Sequence, residues 1–114
     1  EASSVRGPHV DAPHEVYAGL LYFDPGGNGG DLTINRWKAD RQFVGRPGMT
    51  KKAECAVAST DLASTIKVEP NTMVFFVNSP DSLHGVTPRE PGGGVRRYIN
   101  IIGEVRKPLF ELPK

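Results

Sequence analysis

The sequence contains one cysteine, Cys55, and no long hydrophobic run. A lone cysteine cannot close an internal disulfide bond, which excludes an extracellular scaffold held together by disulfides. The longest apolar stretches, such as residues 18–23, are far shorter than the ~20 residues that a membrane-spanning helix requires. The chain also opens without a signal-peptide pattern. The sequence therefore predicts a cytoplasmic protein with no membrane partner.

Neither sign of charge dominates the chain. Lys and Arg number 14 against 13 Asp and Glu, which gives a formal net charge of +1. The basic residues do not gather into the kind of patch that attracts a phosphate backbone, so nucleic acid is not an expected partner. A chain of 114 residues predicts one domain with a modest core.

Glycine and proline are abundant, with 13 and 10 residues. They divide the chain into short runs, a pattern that favours strands joined by turns over long helices. Apolar and β-branched content predicts strands at 15–23, 30–37, 42–44, 65–68, 72–78, 83–87 and 95–103. Residues 53–64 have a helical composition, with one short turn expected at 61–64. The predicted fold class is all-β, and a double-stranded β-helix, or jelly roll, suits these strands and forms a site at its mouth.

Three residues form a potential set of metal ligands. Extended chain turns residues i and i+2 to the same side, so His9 and Asp11 are placed to bind one ion together. A third ligand has to come from a neighbouring strand, and His84 is the candidate. Two imidazoles and one carboxylate on one face are the ligand set of a non-haem Fe(II) oxygenase. Considered without His84, the first two residues are better explained as a loop histidine and a turn-forming aspartate between Pro8 and Pro13.

Two adjacent arginines, Arg96 and Arg97, follow His84 in the sequence. An anionic co-substrate on the ion would need a nearby cation, and a guanidinium holds a carboxylate through two parallel hydrogen bonds at any working pH. Neighbours on a regular strand face opposite sides, so one of the two arginines is expected to point inward and the other outward.

This order of His9, Asp11, His84 and a following arginine resembles the iron(II)/2-oxoglutarate-dependent dioxygenases, and the prolyl-hydroxylase-like members in particular. The likeness extends to Gly-Leu-Leu-Tyr-Phe at 19–23, the Gly-Gly pair at 29–30, and the stretches 69–76 and 83–88. It covers roughly residues 8–104, and the ordered set in its strand context is far more specific than His-x-Asp alone.

The resemblance implies a jelly-roll hydroxylase that uses Fe(II), 2-oxoglutarate and O2. Such an enzyme hydroxylates an unactivated C–H bond of a small molecule or peptide and releases succinate and CO2. Tyr22 would place its hydroxyl on 2-oxoglutarate, and the alternative for this residue is ordinary packing in the core. In the family, small or polar residues stand two and four positions after the inward arginine. Asn100, four residues after Arg96, fits this pattern and favours Arg96 as the inward residue. Tyr98, two residues after Arg96, is too bulky to fit, so Arg97 remains an alternative.

Family members usually carry further elements ahead of His-x-Asp. Residues 1–114 are therefore predicted to be a single jelly-roll catalytic domain, the C-terminal portion of a longer protein, whose barrel an N-terminal region or a second chain completes. Contacts to substrate or to the metal ligands are predicted for His14, Asn35, Trp37, Arg89 and Asn100, although packing is an alternative for Trp37 and solvent exposure for His14. Two rival hypotheses are a cupin-like metal protein that uses no 2-oxoglutarate and a non-enzymatic jelly-roll binding or structural module.

Overall fold

The computed structural model describes residues 6–45, 53–55 and 57–111, and these residues form short strands joined by turns. The strands are β1 (Arg6–Val10), β2 (Glu15–Asp24), β3 (Leu32–Trp37), β4 (Phe43–Gly45), β5 (Ala53–Cys55), β6 (Thr60–Ile66), β7 (Thr72–Val77), β8 (Leu83–Val86) and β9 (Arg97–Glu104). A single 3-10 turn, Val57–Ser59, precedes β6. The described residues include no α-helix, and hence none long and apolar enough to cross a bilayer. The predicted all-β class is confirmed.

The strands lie in two antiparallel sheets, as in a β-sandwich. One sheet has six strands in the order β4-β5-β1-β8-β3-β6, and the other has three in the order β7-β2-β9. In the smaller sheet, β2 is central and pairs with β7 and β9 along most of its length. In the larger sheet, β1 pairs with β8 so that His9 stands directly opposite His84.

A small apolar core packs on one side of the β1–β8 pair. Val10 and Leu83 are fully buried and contact Cys55, and Trp37, Phe43 and Phe110 pack against this cluster. Val10 and Leu83 each neighbour a histidine in the sequence, and successive side chains on a strand alternate between faces. The core on one face therefore directs His9 and His84 to the other.

A glycine-rich turn joins β2 to β3. Gly26, Gly27, Gly29 and Gly30 all have φ between 58° and 93°, a backbone conformation that residues with a Cβ rarely adopt. At Gly29 and Gly30 the space that a Cβ would fill is taken by the Pro88 carbonyl and by the Arg89 and Arg96 side chains. The turn and the two arginines are therefore packed as one unit.

The composition of residues 53–64 favours a helix, and this prediction is wrong for the described part of the stretch. β5 and most of β6 occupy this stretch, and a 3-10 turn lies between them. The predicted strand at 65–68 is correspondingly displaced, because β6 begins at Thr60 and ends at Ile66. Pairing with β3 over six registered positions stabilises the extended form, and such tertiary pairing overrides weak local preferences. Ala56 lies outside the described residues.

Candidate metal site

The structure brings His9, Asp11 and His84 together at one point in the sandwich. All three are buried, with 3%, 4% and 7% of their surfaces exposed. Their potential ligand atoms all lie within 4.8 Å of one another, and the two imidazole ring centroids are 4.4 Å apart. Burying a carboxylate and two imidazoles is unfavourable unless these groups are paired or bind a metal. The triad thus has the composition and burial of a metal site.

The two histidine rings are oriented in the same way by their own strands. Nδ1 of His9 lies 2.9 Å from the Gly7 carbonyl oxygen, and Nδ1 of His84 lies 2.9 Å from that of Ser82. In a neutral imidazole, an Nδ1–H that donates to a carbonyl leaves Nε2 unprotonated, and this tautomer binds a metal ion through Nε2. Both Nε2 atoms face the carboxylate of Asp11.

The spacing of the ligand atoms fits a bound ion. A first-row divalent ion about 2.1 Å from each ligand atom, at angles of 90 to 110°, spaces those atoms roughly 3.0–3.4 Å apart. Nε2 of His84 lies 3.4 Å from Oδ1 of Asp11, and Nε2 of His9 lies 3.9 Å from the same oxygen. The first separation falls within that range, and the second exceeds it by about 0.5 Å.

Asp11 follows the last residue of β1, and a buried asparagine fixes the chain there. Nδ2 of Asn78 lies 3.4 Å from the Asp11 carbonyl oxygen, 3.0 Å from that of Ala12 and 2.9 Å from that of Glu15. The backbone N–H of Asn78 also donates a hydrogen bond of 2.8 Å to the Val16 carbonyl oxygen. The loop that carries the carboxylate is therefore anchored to the end of β7 in the other sheet.

Phe76 packs against the site from the smaller sheet. Its ring centroid lies 4.6 Å from that of His84, which places the triad between the two sheets. Neither Phe76 nor Asn78 was predicted from sequence as a site residue. Period-two alternation along 72–77 could have placed Phe76 on the inward face, whereas nothing local indicates which loop Asn78 contacts.

Tyr22 and Arg96, both predicted to bind 2-oxoglutarate, lie near each other, Tyr22 on β2 and Arg96 immediately before β9. Tyr22 is buried, and burial raises the pKa of its hydroxyl, while the nearby positive charge of Arg96 acts in the opposite direction. The hydroxyl is therefore protonated at neutral pH and able to donate a hydrogen bond. The Tyr98 ring lies beside Tyr22, with 6.0 Å between centroids.

Backbone carbonyl groups hold the Arg96 guanidinium in the glycine-rich turn. Nε donates to Pro25 at 2.8 Å, Nη1 to Gly30 at 2.8 Å and Nη2 to Gly29 at 2.6 Å. A guanidinium has five N–H groups, so these bonds use three of them and fix the plane of the group. Arg97 is exposed instead, and its Nη1 lies 3.1 Å from Oδ2 of Asp24.

The remaining predicted residues are spread over the sandwich. Arg89 donates from Nη2 to the Gly26 and Gly94 carbonyls. Among the described residues, its buried Nε has no hydrogen-bond partner, and neither has Oδ1 of Asn35. Asn100 is exposed on β9, opposite Leu20. His14 is half-buried beside the loop and lies outside the triad.

Trp37 packs against the apolar core and borders an open depression. Its Nε1 donates to the Pro80 carbonyl at 3.2 Å, and its ring meets that of Phe43 edge to face. Arg41 and Asp81, which also line the depression, are joined by two hydrogen bonds of 2.7 Å. The bond from Arg41 lowers the pKa of the Asp81 carboxyl.

We compared the chain with known protein families, curated proteins and solved structures. No family model, no curated protein and no solved structure matches the chain.

Proposed function

We propose that this chain is an Fe(II)- and 2-oxoglutarate-dependent dioxygenase built on a jelly roll, which hydroxylates an unactivated C–H bond of a small molecule or peptide. The observation that carries the proposal is the convergence of the two Nε2 atoms on Oδ1 of Asp11, with both Nδ1 atoms already paired to carbonyls. Two imidazoles and one carboxylate in this arrangement match the facial ligand set of non-haem iron oxygenases.

His9, Asp11 and His84 would hold the ion from one side, which leaves coordination positions for 2-oxoglutarate and O2. Iron and the keto acid would supply the oxidising chemistry of hydroxylation, with succinate and CO2 as co-products. The protein would hold the reactants in place and keep bulk water away from the buried ligands.

Arg96 and Tyr22 are the proposed anchor for the distal carboxylate of 2-oxoglutarate. Arg96 supplies a positive charge whose orientation is fixed by the carbonyls of Pro25, Gly29 and Gly30. Tyr22 supplies a protonated hydroxyl close to that charge. A fixed donor pair binds a carboxylate with little loss of side-chain entropy, because its rotamers are already restricted.

The same hydrogen bonds favour a second candidate function. Three of the five N–H groups of Arg96 are occupied by carbonyls, so the residue also has a complete structural explanation. In this alternative the chain is a cupin-like metal protein that holds an ion in the triad and does not bind a keto acid.

Anaerobic titration with Fe(II), with and without 2-oxoglutarate, separates the two candidates. Bidentate chelation of ferrous iron by the keto acid gives a weak visible charge-transfer band, which we expect in the wild-type protein. His84→Ala should abolish both iron binding and the band. His14→Ala is the matched control, because it removes a half-buried imidazole outside the triad. Iron binding without a band would favour the cupin-like alternative, and an intact band in His84→Ala would refute the triad.

A further inference from the structure

The outer face of the three-stranded sheet is apolar and uncovered in the described part of the chain. Along β2, β7 and β9, alternate side chains turn away from the metal site and toward solvent. Six large apolar residues on this face are between 39% and 63% exposed: Phe23, Met73, Phe75, Val77, Ile99 and Ile101. Isolated exposed apolar residues are ordinary on protein surfaces, but a contiguous group of this size marks an interaction site.

The extent of the face suits a protein partner. Large apolar side chains that are half uncovered expose on the order of 100 Å² each. Six of them, with the partly exposed Tyr17 and Leu21 between them, approach the roughly 800 Å² that each partner contributes to a standard interface.

Neighbouring side chains fill the gaps that two glycines leave in this face. At its centre, a Cβ on Gly19 would meet the side chains of Met73, Phe75 and Ile101 at ordinary contact distances, so these neighbours lean over the glycine. At one end the Tyr17 ring lies over Gly103 and closes a second gap. An apolar sheet face without gaps can pack on another of the same kind, since stacked sheets pack about 10 Å apart through such faces.

The midpoints of β2, β7 and β9 lie side by side across the sheet, an arrangement that is compatible with a two-fold axis through them. Gly19 pairs with Phe75 on one side and with Ile101 on the other, and each of these residues lies near the middle of its strand. A two-fold axis that crosses the strands at this level would stack each strand, antiparallel, on its own copy. An interface of this type is self-complementary.

We propose that this outer face binds the same face of a second copy of the chain, to give a dimer of stacked sandwiches with two-fold symmetry. The metal sites lie on the other side of each three-stranded sheet, so dimerisation and metal binding are separable. The inference therefore stands or falls independently of the enzymatic proposal.

Sedimentation equilibrium over a wide range of protein concentration tests this dimer. The wild-type protein should have the mass of two chains. Phe75→Glu places one carboxylate in each half of the interface, and burying unpaired like charges is strongly unfavourable, so we expect the dimer dissociation constant to rise about 100-fold or more. Leu62→Glu makes the same change at a residue 60% exposed on β6, in the other sheet, and should leave the dimer intact.

Val77→Lys, at the most exposed position of the face, is a second interface variant that should also yield monomers if Phe75→Glu does not fold. Circular dichroism and metal binding verify that each variant is folded. A wild-type protein that is monomeric at all concentrations would overturn the proposal. A monomer that binds lipid vesicles through this face would overturn it too, since the partner would then be a membrane. Equal dissociation in Leu62→Glu and Phe75→Glu, or an unaltered dimer in both folded interface variants, would overturn it as well.

Discussion

The side-chain amide of Asn78 is hydrogen-bonded to the backbone of Asp11. Its Nδ2 lies 3.4 Å from the Asp11 carbonyl oxygen and closer still to the carbonyls of Ala12 and Glu15. Asn78 is 5% exposed and lies at the end of β7, in the sheet opposite β1. The position of Asp11, a candidate metal ligand that follows a strand of one sheet, is therefore determined in part by an amide at the edge of the other.

Asn78→Asp should weaken metal binding. The change is nearly isosteric, but it replaces the donor group with a second oxygen that faces three carbonyl oxygens. Loss of contacts that orient a ligand typically costs 10–100-fold in metal affinity, so the dissociation constant should rise by about that factor. We also expect a loss of about 1–3 kcal/mol in unfolding free energy, because buried carbonyls lose their donors.

Calorimetric titration with Co(II), together with urea unfolding of the metal-free protein, measures both effects. Asn71→Asp is the matched control, since Asn71 is exposed at a turn with φ of 58° and aspartate also tolerates this conformation. An Asn78→Asp variant that is less stable but has wild-type Co(II) affinity would show that the asparagine supports the fold without positioning Asp11.

The triad could be predicted from sequence because its geometry is mostly local. His9 and Asp11 are two residues apart in extended chain, and the alternation that aligns them is a property of any strand. His84 is predicted as the third ligand because another strand has to supply one, but its position opposite His9 is not, since register between distant strands cannot be calculated from either strand alone. Asn78 was missed for the same reason, because its importance depends on a loop more than sixty residues earlier.

Strand β6 shows the opposite case, in which local composition misleads. Leu62 and Ala63 favour a helix, and most of the strand is exposed, so no alternating pattern indicates an extended chain. The strand exists because its backbone pairs with β3 from Leu32 to Trp37. An exposed edge strand of this kind is defined by its neighbour, and the neighbour is distant in the sequence.

Asp11→Asn should remove the stabilisation that a bound metal confers. A ligand that binds the folded state at about 100 times its dissociation constant stabilises it by ~2.7 kcal/mol. The wild-type melting temperature should therefore rise with added Mn(II) and fall back with a chelator, whereas that of Asp11→Asn should not respond. Differential scanning calorimetry measures this, with Asp40→Asn on the exposed surface as the control. A metal response retained in Asp11→Asn would exclude Asp11 as a ligand.

Tyr22→Phe should change the dependence of stability on alkaline pH. Burial raises the pKa of Tyr22 above the ordinary value of 10.0, and the opposing effect of Arg96 is smaller. The folded state therefore holds the phenolic proton more tightly than the unfolded state does. This contribution is fully present below pH 10 and is lost as the pH rises through the folded-state pKa.

Urea unfolding at a series of alkaline pH values tests the sign of this effect. Above pH 10 the unfolding free energy of the wild-type protein should fall more steeply than that of Tyr22→Phe, since the variant lacks the titrating hydroxyl and other groups titrate in both. Parallel pH profiles would show that the Tyr22 pKa is not raised on folding.

Arg96 and Arg97 should respond very differently to substitution. Arg97→Ala breaks an exposed ion pair with Asp24, and pairs of this kind contribute about 0–1 kcal/mol, so stability and 2-oxoglutarate binding should change little. Arg96→Lys loses the planar group that spans the carbonyls of Pro25, Gly29 and Gly30. We expect a loss of about 2 kcal/mol or more in unfolding free energy and weaker 2-oxoglutarate binding.

A second keto acid separates the structural role of Arg96 from the proposed role in binding. Pyruvate has the chelating keto acid group of 2-oxoglutarate but lacks its distal carboxylate. If Arg96 binds that carboxylate, the Arg96→Lys substitution should raise the dissociation constant for 2-oxoglutarate about tenfold or more and leave that for pyruvate unchanged, both measured by the visible band with Fe(II). If the substitution only distorts the turn and displaces the ion, the binding of both keto acids should weaken equally. That result would favour the cupin-like alternative.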